Sequence, residues 1–84
     1  MAVRNLEMLR SILAMDTQAV AVLDTIWTDL TSTQDPAKLR AALIAASTEC
    51  PSLEEENPAL EWETPLSVLR AIAEQYWREK NASN

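Results

Sequence analysis

The sequence predicts an all-α fold: a small helical bundle of three to four helices that forms one domain over residues 1–84. Apolar residues recur at spacings of three and four through the first third of the chain, which is typical of a helix that packs against other helices. The chain contains no glycine, and this absence disfavours the tight turns of β-hairpins. An Asp–Pro pair and a Thr–Pro pair mark the starts of two further helices.

The first helix is predicted over residues 3–31. An unbroken helix of that length would be roughly 43 Å long, which exceeds the roughly 30 Å diameter of a compact domain of this size. Either the helix breaks at Asp16, which is a good N-cap for a second helix, or it continues and a second chain covers the excess. No proline or glycine lies near Asp16 and the apolar spacing continues across it, so both alternatives stay open. As a lone polar residue among apolar ones, Asp16 could also lie at the wet edge of the stripe or fix the register of an oligomer.

The second helix is predicted over residues 36–49. Asp35 is its expected N-cap, and Pro36 takes the first helical position, where a missing N–H is harmless. Cys50 precedes a proline and is therefore disfavoured in the helical backbone region, which ends the helix.

An irregular, acidic loop is predicted over residues 50–64, where prolines interrupt any regular element. A second cap-and-proline signal then starts the last helix, predicted over residues 65–80. Residues 81–84 are predicted to form a polar tail.

Composition argues against several classes of function. A net charge of −6 disfavours nucleic acids and anionic membranes as partners, because both are bound through Lys and Arg. The chain has no histidine as a catalytic base and no glycine for a phosphate-binding loop, so we expect neither an enzyme nor a cofactor or metal site. Cys50 has no second cysteine to pair with, which favours a reducing, cytoplasmic location. No segment is apolar over the length of a membrane span.

The acidic loop and the tryptophans provide the candidate partner-binding residues. Five carboxylates lie in the loop without a compensating Lys or Arg, and a basic partner could recognise them, with Trp62 as an aromatic anchor. A solvated loop, with Trp62 as a lid over one end of the bundle, is the simpler alternative. Trp77 is included because it follows Tyr76, and two adjacent helical residues cannot both point fully inward. The candidate set is Glu54, Glu55, Glu56, Glu61, Trp62, Glu63 and Trp77.

The apolar stripe of the first helix is the candidate self-association face, because it is wide enough for more than one packing partner. The leading hypothesis is a small regulatory or adaptor protein that binds other proteins as a homodimer. An acidic inhibitor or immunity-type protein that covers a basic, nucleic-acid-binding surface is the alternative, and a carboxylate-based enzyme is third. The predicted self-association face consists of Leu6, Leu9, Leu13, Val20, Leu23, Trp27 and Leu30.

Overall fold

The computed structural model of the protein describes residues 1–82. Four α-helices follow one another along this part of the chain and no strand is present in it, so the predicted all-α fold is confirmed. Two short 3₁₀ turns, at Pro51–Glu54 and Pro58–Leu60, lie between the third and fourth helices. The helices are α1 (Ala2–Ile12), α2 (Thr17–Ser32), α3 (Pro36–Glu49) and α4 (Pro65–Ala82).

Of the two alternatives left open for the first helix, the structure shows the break before Asp16. Asp16 adopts an extended backbone conformation, and its carboxylate accepts a hydrogen bond of 3.1 Å from the backbone N–H of Ala19, as an N-cap does. The second carboxylate oxygen accepts a bond of 3.1 Å from the hydroxyl of Ser52, which ties the α1–α2 turn to the first 3₁₀ turn. The described residues extend 37 Å along their longest axis, which is shorter than the roughly 43 Å of an unbroken helix.

Capping side chains mark the starts of the other two helices, α3 and α4. Asp35 accepts a hydrogen bond of 2.9 Å from the N–H of Ala37, and α3 begins at Pro36 as predicted. The hydroxyl of Thr64 accepts a bond of 3.1 Å from the N–H of Ser67 at the start of α4. The first two residues of the predicted polar tail continue α4 as helix, and positions 83–84 lie outside the described residues.

The core is formed by one buried face from each helix together with Leu53 of the first 3₁₀ turn. α1 packs mainly along α4, and α2 packs mainly along α3. Trp27 and Tyr76 are half-buried at the margin of the core, where their rings meet edge to face at a centroid distance of 5.3 Å. Cys50 is a buried free thiol whose sulfur lies 3.2 Å from the hydroxyl of Ser52.

The predicted self-association face lies inside the single chain. Leu6, Leu9, Leu23 and Leu30 are buried, because the break at Asp16 lets the two halves of the stripe pack against the other helices of the same molecule. Leu13 and Trp27 are half-buried against this core, and Val20 is also half-buried. The single chain therefore covers most of this face itself, and self-association stays a prediction.

Candidate functional site

α1 and α4 lie side by side in opposite directions. The backbone N–H of Ala2 donates to both carboxylate oxygens of Glu79, at 3.1 and 3.2 Å, and the side chain of Asn5 donates to that of Gln75 at 2.9 Å. The first turn of α1 therefore lies beside the last turns of α4. Met1 provides no side-chain cap for α1. The carboxylate of Glu79 takes this role by accepting the N–H at the start of the helix.

A groove of about 510 Å³ runs between these two helices and is open to solvent. Leu9 and Ile72 form its buried floor, and most of its lining surface is apolar. Met8, on one wall, remains 57 % exposed and adds apolar surface to the open part of the groove. We call this feature the α1–α4 groove; it is lined by Asn5, Met8, Leu9, Ile12, Leu60, Glu63, Ser67, Val68, Ala71, Ile72, Gln75 and Arg78.

The two ends of the α1–α4 groove carry opposite charges. Glu63, just before α4, is at one end, where its carboxylate accepts a hydrogen bond of 2.8 Å from the hydroxyl of Ser67. Arg78, near the end of α4, is at the other. Spacing alone predicts a pair between Glu74 and Arg78, but Glu74 instead lies 3.7 Å from the guanidinium of Arg70. No ion pair among residues 1–82 involves Arg78, so its charge is available at the end of the groove.

A tight loop next to the Glu63 end of the groove holds Trp62 in solvent. The backbone of Asn57 pairs with that of Glu63, and the carbonyl of Asn57 also accepts the N–H groups of Leu60 and Trp62 at 2.9 and 3.0 Å. Glu61 and Trp62 both have positive φ angles, of 55° and 68°, a conformation that is costly for residues with a Cβ. The indole is 66 % exposed, so Trp62 does not form the lid that one alternative predicted.

The predicted partner-binding carboxylates are all exposed, and two of them line different depressions of the surface. Glu54, Glu55 and Glu56 are exposed, and Glu54 lines a shallow depression between α3 and α4 rather than the α1–α4 groove. Glu61 and Glu63 are also exposed, but of the five only Glu63 lines the groove.

Trp77 has a structural role within the single chain. Its ring is half-buried against the core, and its indole N–H donates a hydrogen bond of 3.0 Å to the backbone carbonyl of Leu30. That carbonyl is in the last turn of α2, where backbone acceptors have no partner within the helix. Trp77 therefore joins the end of α2 to α4, and a partner contact by this residue stays a prediction.

Sequence reasoning missed most of the groove. Val68 and Ala71 of α4 were not singled out from the sequence, and Met8 was read only as widening the apolar stripe of α1. The available signal was that both helices carry more apolar residues than one buried face requires. Because α1 and α4 are distant in sequence, the pattern of neither helix shows that these two surfaces lie side by side.

Two further kinds of site, a metal centre and a pair of catalytic carboxylates, find no support in the described residues. Within residues 1–82, no group of three or more acidic, cysteine or histidine side chains is arranged to hold a metal ion. Glu63 is the one carboxylate among the described residues that line the α1–α4 groove, so a paired-carboxylate centre is not formed there. None of the helices described is both long and apolar enough to cross a lipid bilayer.

Comparison with known proteins gives no relative from which a function could be carried over. No protein-family model matches the chain, and no match was found among curated proteins or among solved structures.

Proposed function

We propose that the protein is a small, non-catalytic regulatory or adaptor protein that acts by binding a protein chain through the α1–α4 groove. The exposed apolar lining of the groove carries this proposal. Methionine is flexible and polarisable, so Met8 can adapt to a partner surface, and a groove between two helices suits a third helix. The proposal places the protein in the cytoplasm, which the single unpaired Cys50 supports.

Site-specific photo-crosslinking in the native host tests this function. A photoreactive amino acid replaces Ala71, an exposed residue of the groove, and a matched variant carries it at Ala45, an exposed alanine of α3 outside the groove. Crosslinking to a discrete protein species is expected from position 71 and not from position 45. Equal crosslinking from both positions, or none from position 71, would contradict the proposal.

An acidic inhibitor of a basic surface is the second candidate function. It is favoured by the exposure of Trp62 on a tightly hydrogen-bonded loop that also carries the exposed Glu61 and Glu63. Partners bound through such charges dissociate more readily as ionic strength rises. With the photoreactive residue in place of Glu55, we expect capture of a basic protein that decreases with added salt; capture that is indifferent to salt would argue against this candidate.

A further inference from the structure

We propose that the occupant of the α1–α4 groove is a second copy of this chain, which docks through its own α1–α4 groove with the two α4 helices antiparallel. This inference rests on the proposed function, because it names the partner that the groove binds. It moves the predicted self-association face away from Leu6, Leu23 and Leu30, which are buried in the single chain, to the α1–α4 groove, where Met8 and Ala71 are exposed.

Charge complementarity is the main argument for a second copy. The groove has the carboxylate of Glu63 at one end and the guanidinium of Arg78 at the other, separated by most of the length of α4. Glu79 lies next to Arg78 in sequence, but its carboxylate already accepts hydrogen bonds from the N–H of Ala2 and the side chain of Gln75. A two-fold axis perpendicular to α4 reverses the direction of the second groove, so each Arg78 meets Glu63 of the second copy. The ion pair between Arg78 and Glu63 of the other copy then forms twice, once at each end of the interface. A groove with like charges at both ends could not pair with itself in this way.

The residue nearest the centre of this arrangement also suits it. Ala71 lies seven residues before Arg78 and eight after Glu63, so it is close to the midpoint of the groove along the chain. It is exposed and small, which allows two helices to approach to within about 8–10 Å, the usual interaxial distance. Ser67 and Gln75 lie four residues to either side of Ala71, so the two-fold axis would bring Ser67 of one copy opposite Gln75 of the other.

The balanced charge of the groove lining is compatible with self-association. A net charge of −6 makes two copies repel each other at long range, so self-association requires a surface that is not itself acidic. The lining of the α1–α4 groove includes one acid and one base and is otherwise uncharged. The exposed carboxylates Glu54, Glu55 and Glu56 are not part of it, which keeps them out of the proposed interface.

Two single charge reversals and their mixture test the arrangement. In Glu63→Arg, both ends of the groove become basic, and in Arg78→Glu, both become acidic, so each variant repels itself at two places. A mixture of the two variants restores opposite charges at both ends of a mixed dimer. Both residues are exposed, and circular dichroism with thermal unfolding confirms that each variant is folded.

The readout is molar mass by sedimentation equilibrium, at a concentration where the wild-type chain is about half dimeric. We expect each variant alone to dissociate, with a dimer Kd raised by about tenfold or more, and the equimolar mixture to recover dimer. A wild-type chain that stays monomeric at all concentrations, single variants that dimerise like wild type, or a mixture that does not recover would each overturn the inference. If the inference fails while position 71 still crosslinks to a different protein, the proposed function stands and its partner is that protein.

Discussion

At the scale of single residues, Asp16 links sequence to fold most directly. One of its carboxylate oxygens caps α2 through Ala19, and the other binds Ser52 in a different part of the chain. A single side chain therefore both starts a helix and fixes the turn before it to the first 3₁₀ turn.

Removing this cap should destabilise the fold. Asp16→Ala loses the N-cap bond and the bond to Ser52, and we expect the free energy of unfolding to fall by about 1–2 kcal/mol, measured by urea denaturation. Asp29→Ala, at an exposed position in the same helix, is the matched control and should change stability by no more than about 0.5 kcal/mol. Equal effects of the two substitutions would show that the cap does not contribute.

Trp77 gives a second prediction at this scale. Trp77→Phe keeps an aromatic ring but removes the N–H that binds the carbonyl of Leu30, so the free energy of unfolding should fall by about 1–2 kcal/mol. Trp62→Phe is the control, because its exposed indole has little packing to lose and stability should stay within about 0.5 kcal/mol. The opposite ranking in urea denaturation would contradict the assigned roles of the two tryptophans.

At the scale of elements, local signals predicted α3 and the start of α4, because a capping side chain followed by proline acts within a single turn. The break between α1 and α2 was left open because the N-cap preference of Asp16 and the continuous apolar spacing point in opposite directions. At the break, side chains that are distant in sequence contact each other. Ser52 binds Asp16, and the guanidinium of Arg10 pairs with the carboxylate of Asp24 at 3.1 Å across the two helices.

The loop that carries Trp62 contains measurable strain. Glu61 has a left-handed backbone conformation, which glycine adopts without steric cost, so Glu61→Gly should raise the free energy of unfolding by about 0.5–1 kcal/mol. Glu55→Gly is the matched control: Glu55 is extended, and the extra freedom of glycine in the unfolded chain should lower stability slightly. Thermal unfolding of both variants measures the difference, and a loss of stability in Glu61→Gly would contradict the assignment of strain.

At the scale of the whole molecule, the sequence predicted the fold class but only part of the candidate site. Trp62 and the exposed carboxylates could be named from composition and position alone. The α1–α4 groove could not, since it exists only because the first turn of α1 lies beside the end of α4, through Ala2 and Glu79. Such pairing depends on the break at Asp16, which sequence periodicity does not determine.

Molar mass as a function of concentration, measured by light scattering for wild type, Ala71→Arg and Ala45→Arg, tests the central claim most directly. Ala71→Arg brings two like charges together at the centre of the proposed interface, whereas Ala45→Arg adds the same charge on α3. We predict that wild type and Ala45→Arg rise from 9.4 kDa towards twice that mass as concentration increases, while Ala71→Arg remains monomeric. A wild-type chain that stays at the monomer mass throughout, or an Ala71→Arg variant that associates as wild type does, would contradict the account.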